Sequence, residues 1–175
     1  MAIKNLEIRA SKLAEKYSDK KIMVDVHQVA HHLNLTIKEV EFSNDISGVL
    51  YIDKGKGVIG YNKNESPLRQ RFSIAHEIGH FLLHRLENEI FVDKNFKALY
   101  RNSESATGEI KMEREANAFA AALLMPKERV IREFEKLNFD LSDEEGDVVE
   151  RLAKKFKVSK QAMTFRISNL ELFSY

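Results

Sequence analysis

Apolar residues recur along this chain in two rhythms, and the places where the rhythm changes mark out its elements. Across residues 4–17, Leu6, Ile8, Leu13, Ala14 and Tyr17 return at roughly helical spacing, and a polar break at 18–21 ends the run. Residues 24–33 repeat the pattern with Val26, Val29, Ala30 and Leu33 on one side. The period then shortens. Residues 35–42 set Ile37, Val40 and Phe42 among charged neighbours, as a half-buried strand does. Residues 46–52 and 57–61 read as two more strands, joined by the turn Asp53-Lys-Gly-Lys56. These three predict a small antiparallel sheet.

Ser66 before Pro67 signals a helix start, a hydroxyl cap ahead of a proline at the first helical position. That helix runs to about His84 or Leu86. Residues 87–109 are less patterned: 90–93 fit a short strand, and 102–108 are loop-like. Residues 110–125 return to helical spacing, nearly apolar after Glu115, until Pro126 stops them. Residues 127–137 read as an exposed, charged helix. An acidic connection at 138–146 is the one candidate boundary, dividing the chain into 1–137 and a C-terminal extension, 138–175, packed on the same core. Within it, 148–170 reads as helix, tight turn, helix, with Leu152, Ala153, Phe156, Val158, Ala162 and Ile167 inside and Ser159 as a cap.

One of these helices carries chemistry. Arg71-Phe-Ser-Ile-Ala-His-Glu-Ile-Gly-His-Phe-Leu-Leu-His84 contains His76-Glu77-x-x-His80, the H-E-x-x-H pattern of zinc-dependent hydrolases. The four-residue spacing places both imidazoles on one face, a turn apart, where they can share an ion. Glu77 is rotated by roughly 100° from His76, so it can miss the ion yet reach a water beside it. Phe72, Ile74, Ala75, Ile78, Phe81, Leu82 and Leu83 surround the helix on nearly every side, which describes a buried helix. Two imidazoles and a carboxylate in that setting are costly to desolvate unless something pairs with them, and a metal ion does. His27 and His31 also stand four apart, but no carboxylate accompanies them, and with His32 they read as ordinary helix surface.

Composition narrows the ligand set. The chain has 175 residues, 43% of them hydrophobic, enough for one globular domain with a small appendage. It has no cysteine, so thiolate ligands, disulfides and thiol nucleophiles are excluded, and any metal must be held by His, Asp or Glu. Lys+Arg at 28 against Asp+Glu at 27 leaves a net charge of +1, with no global field for nonspecific nucleic-acid binding. The N-terminus lacks a signal-peptide core and no apolar run reaches membrane-spanning length, so a cytoplasmic protein is expected.

Catalytic zinc commonly takes three protein ligands. Glu113 opens the next buried helix, with Ala116, Asn117 and Ala120 on its face, small enough for close approach to the His76–His80 helix. Asn117, one turn on, can orient a ligand imidazole through a hydrogen bond. Glu115 points elsewhere on the helix and is the weaker candidate. His84 is the rival from the motif helix itself, although a drift of about 40° per four residues carries it away from an ion held by His76 and His80. Tyr100, Arg101 and His84 are candidate oxyanion donors. A strand near the site, such as 57–61, is a candidate to pair with an extended substrate.

The motif helix, followed by Glu113-x-Glu-Ala-Asn-x-Phe-Ala-Ala-x-Leu-Leu-Met-Pro126, resembles the ImmA/IrrE family of metallo-endopeptidases. Ser47-Gly48 and Tyr61-Asn62 stand where that family has comparable features, so the resemblance covers most of the chain. It implies a zincin-like α+β fold, with the small three-stranded sheet packed with the motif helix and the third-ligand helix. It also implies one Zn2+ (Mn2+ or Fe2+ could replace it) held by His76, His80 and Glu113, with Glu77 as the catalytic acid/base. The implied substrate is a helix-turn-helix transcriptional repressor, cleaved in a phage, mobile-element or stress-response circuit. From another class comes the alternative of a DNA-binding or metal-sensing regulator with a non-catalytic site. It would use the helix-turn-helix-like unit, where Lys154, Lys155, Lys157, Lys160 and Arg166 suit phosphates.

Overall fold

The computed structural model describes residues 3–18, 22–43, 45–94, 106–138 and 145–172. In chain order these form α1 (Ile3–Lys16), α2 (Val26–His32), β1 (Leu35–Val40), β2 (Ile46–Asp53), β3 (Lys56–Asn62), α3 (Pro67–His84), β4 (Ile90–Lys94), α4 (Ala106–Leu124), α5 (Lys127–Asn138), α6 (Glu145–Phe156) and α7 (Lys160–Asn169). The architecture is α+β.

The sheet departs from the expected three antiparallel strands. It has four, in the order β1-β3-β2-β4, and β1 runs parallel to β3. Strands β2 and β3 form a hairpin closed at Asp53↔Lys56, and both central residues, Lys54 and Gly55, have positive φ (47° and 79°). Such a turn matches the natural twist of paired strands. The route from β1 to its parallel neighbour passes through β2, and residue alternation does not reveal strand direction because its period is two in either case. Strand β3 is paired on both sides, so residues 57–61 have no free edge for a substrate backbone. Among the described strands, β4 lies at the edge beside β2.

Period-two alternation sorts the sheet into two faces. Leu50, Ile52, Ile59 and Phe91 are buried toward α3, whereas Tyr51, Ile90 and Val92 are exposed on the other side. Helix α3 lies between the sheet and α4, and α1 packs on α4. Gly79 permits the helix contact: a Cβ there would stand 3.2 Å from both Cα and O of Ala116.

Helix α5 is exposed on one side only. Val130, Glu133 and Phe134 are buried, and Glu133 pairs with Lys136 and with Lys155 of α6. The α6–α7 pair buries Leu152, Phe156, Val158, Met163 and Ile167. Ser159 accepts the Ala162 N–H at 3.1 Å as a cap, and Lys157, where such turns often have glycine, adopts a φ of 51°. Two arginines tie this pair to the rest. Arg71 of α3 donates to the Phe156 and Lys157 carbonyls, and Arg166 of α7 donates to Met125 O and pairs with Glu7 of α1. The expected boundary at 138–146 falls mostly outside the described residues. None of the described helices is long and apolar enough to cross a membrane.

Candidate metal centre

Helix α3 begins where the sequence supplies a cap: Ser66 Oγ accepts the Arg69 N–H at 3.3 Å, and Pro67 takes the first position, where a missing N–H is harmless. Three turns later His76, Glu77 and His80 are almost wholly buried between the sheet and α4. The imidazole Nε2 atoms of His76 and His80 face each other at 3.0 Å. Across the helix contact, Glu113 of α4 brings one carboxylate oxygen to 3.2 Å from His76 Nε2 and the other to 3.0 Å from His80 Nε2. Ligating atoms of these three residues lie within 4.8 Å of one another, so they could hold a metal ion.

The surroundings fit a cation. Two buried imidazole nitrogens 3.0 Å apart, both facing one carboxylate, need a shared proton or a cation among them. Glu77 presents both carboxylate oxygens in the interior with no hydrogen-bond partner, which buried polar atoms seldom do. Two histidines and a glutamate are also a donor set that catalytic zinc uses. Burial, opposed or reinforced by mutual charge and hydrogen bonds, sets the proton affinities. Burial pulls His76 down, but its hydrogen bond to Glu113, with help from Asp93 and Glu77, lifts it to about 9. Burial pushes Glu113 up, yet the bonds from His76 and His80 hold it at about 2. Burial lowers His80, and the neighbouring His76 and His84 add to that. Glu77 rises well above the usual carboxylate range, chiefly through burial, with His76 opposing.

Around the three lie further partners. Asn117 Oδ1 stands 3.1 Å from His76 Nδ1. His84 does not join the group; its Nδ1 approaches the outward Nδ1 of His80 at 3.2 Å, on the side away from Glu113. Glu115, weighed in the sequence only as a rival ligand, meets His84 Nε2 at 3.0 Å instead. Phe91 of β4 stacks on His80, with ring centroids 4.6 Å apart. Tyr100 and Arg101 lie outside the described residues. His27, His31 and His32 are exposed on α2.

The sequence reading missed a polar group beside Glu77. Asp93 is buried and accepts from Arg69 at 3.1 Å and from Ser73 Oγ at 3.3 Å, and Arg69 also donates to Ser47 Oγ. Alternation held the signal: Asp93 shares the inward phase of β4 with Phe91, two residues earlier.

Comparison with known proteins gives the family of the chain. The chain is 27% identical over 149 residues to a protein of Bacillus phage phi105 named uncharacterized immunity region protein 2, covering 82% of this chain and 85% of that one. It is 29% identical over 128 residues to metallopeptidase ImmA of Bacillus subtilis, covering 73% of this chain and 66% of that one. Among solved structures it resembles a Mycobacterium tuberculosis transcriptional regulator with a TM-score of 0.63 over 94% of this chain, at 17% identity, a likeness of fold alone. The chain spans about half of that regulator, 47% of its length. Residues 30–168 match the model of the peptidase M78 family, described as the IrrE N-terminal-like domain, and the chain belongs to that family.

Proposed function

We propose that this protein is a cytoplasmic, zinc-dependent endopeptidase of narrow specificity whose substrate is a helix-turn-helix transcriptional repressor. The observation that carries the reading is the convergence of His76, His80 and Glu113 beside a buried Glu77 whose two oxygens have no partner. A structural metal site has no use for such a carboxylate, which favours the peptidase over a non-catalytic sensor. When bound, the ion supplies Lewis acidity, which acidifies a water and polarises a scissile carbonyl. His76, His80 and Glu113 would hold it. Glu77 is the group placed to accept the proton of the attacking water and return it to the leaving amine nitrogen. Its raised proton affinity suits a base that must also give the proton back.

The substrate strand would pair along β4 rather than β3. Strand β4 is at the sheet edge among the described residues, and its Phe91 lies against His80, so a peptide added there runs past the metal site. The repressor as substrate rests on the family resemblance and on a relative named for a phage immunity region. Coexpression with candidate helix-turn-helix repressors tests the whole reading. Repressor fragments should appear with the wild-type protein and vanish with Glu77→Gln, which keeps the metal. Equal cleavage by that variant would overturn it.

A further inference from the structure

An imidazole holds a metal through a lone pair, and a neutral ring has one lone pair and one N–H. Which nitrogen carries the hydrogen is set by what faces the other side of the ring. For His76 the setter is direct: Nδ1 faces the Asn117 carbonyl oxygen at 3.1 Å, an acceptor, so Nδ1 keeps its hydrogen and Nε2 is the nitrogen left for a metal once the proton shared with Glu113 is displaced. For His80 it is not. Its Nδ1 faces another ring nitrogen, Nδ1 of His84, at 3.2 Å, and either could donate.

Glu115 settles the direction. Its Oε2 lies 3.0 Å from His84 Nε2, and an ionised carboxylate only accepts. A ring with one hydrogen therefore carries it on Nε2 at His84 and presents a lone pair at Nδ1. With a metal ion in place of the hydrogen that otherwise joins His80 Nε2 to Glu113, His80 would donate from Nδ1 and keep its Nε2 lone pair for the side where Glu113 and His76 converge. Run the other way, the chain would set a His84 lone pair against a carboxylate and aim a His80 hydrogen at the ion. His84 is buried, so water does not relieve either conflict.

We propose that Glu115 and His84 are positioning residues of the metal centre, a two-step hydrogen-bond chain that holds His80 in the tautomer able to bind a metal. The inference rests on the reading that His80 is a ligand. Glu115 lies on α4 two residues from Glu113, so the same helix that delivers the third donor also orders the second one.

Long-range proton–nitrogen spectra of the zinc-loaded protein, with 15N-labelled histidine, read the tautomers directly. His80 should carry its hydrogen on Nδ1 and His84 on Nε2. Glu115→Gln keeps the shape but offers an N–H as readily as an oxygen, which removes the constraint. Its zinc affinity, measured against a competing chromophoric chelator, should fall roughly 10–100-fold. The melting temperature of the zinc-free protein, measured for wild type and Glu115→Gln, separates this positioning role from a merely structural one: zinc affinity should fall well beyond what any loss of stability explains. A His84 hydrogen on Nδ1, or wild-type zinc affinity in Glu115→Gln, overturns the proposal. His80→Ala separates the two readings. If it too binds zinc normally, the metal-centre assignment fails; if it alone loses zinc, only the Glu115–His84 chain fails.

Discussion

Gly48 of β2 lies directly against the carboxylate of Glu77: a Cβ at position 48 would stand 3.0 Å from Glu77 Oε1 and 3.4 Å from Ser73 Cβ. The nearest atoms to such a Cβ belong to Glu77 and Ser73, so the glycine bears on the proposed proton acceptor. It leaves the space in which the unpartnered carboxylate sits, and the strand behind it is anchored by pairing with β3 and β4.

Gly48→Ala should therefore separate metal binding from turnover. The added methyl displaces Glu77 by a few tenths of an ångström or more, while His76, His80 and Glu113 keep their places. We expect zinc affinity near wild type and a fall in kcat of roughly 10–100-fold, since small misplacements of a reacting group are costly. Steady-state kinetics beside a zinc titration checks it. A parallel loss of zinc would show that Gly48 supports the whole centre rather than Glu77.

Gly79→Ala should do the opposite. Its Cβ would meet Ala116 Cα and O at 3.2 Å and Phe119 Cβ at 3.3 Å, and backbone cannot swing aside as a side-chain end can. Helices α3 and α4 must move apart, carrying Glu113 from the two imidazoles. Overpacking of this kind costs about 1–3 kcal/mol of stability. Urea unfolding should show that loss, and the chelator competition a weakened zinc site. Unchanged zinc affinity would mean that the helix contact tolerates the shift.

These two glycines mark what was and was not legible in the sequence. The H-E-x-x-H spacing is a local property of one helix, so the face shared by His76 and His80 follows from 3.6 residues per turn. The small residues flanking Glu113 likewise announce a close helix contact. The role of Gly48 is a property of two elements meeting, and no periodicity within β2 encodes it. Strand direction is hidden for the same reason: alternation is identical in parallel and antiparallel strands, so the position of β1 is legible in the sequence and its parallel pairing with β3 is not. Asp93 was readable in principle, as an acidic residue on the inward phase of β4, but a five-residue strand in a weakly patterned stretch gave little reason to look. Glu115 was discounted as a ligand because of its angle on α4, and that angle is what turns it toward His84.

Proton release should accompany metal binding. His76, lifted to about 9 by its bond to Glu113, carries a proton at neutral pH that a metal must displace. His80 is shifted down and gives up none. The sign follows: affinity rises with pH until about 9 and then levels. With one proton exchanged, the slope is about tenfold per pH unit. Calorimetric zinc titrations in buffers of different ionisation enthalpy count the protons directly. A flat profile between pH 6 and pH 8 (both well below the value of about 9) would contradict the His76–Glu113 coupling.

Arg71 tests whether the C-terminal helices are part of one cooperative core. Its guanidinium donates to Phe156 O at 3.1 Å, to Lys157 O at 2.8 Å and to Val24 O at 3.0 Å, joining α3, the α6–α7 turn and the segment before α2. Burial draws it down to about 10, with Asp25 opposing, so it remains charged at neutral pH. Lysine reaches such a site as a single point charge and cannot span three carbonyls. Hydrogen bonds to charged groups contribute about 1.5–3 kcal/mol each, so Arg71→Lys should cost at least about 2 kcal/mol. If α6 and α7 share the core, as the burial of Phe156, Met163 and Ile167 indicates, urea unfolding stays a single transition with a lower midpoint and the same slope. A second, earlier transition in the variant would instead mean that these helices fold as a unit of their own, held to the rest by this arginine.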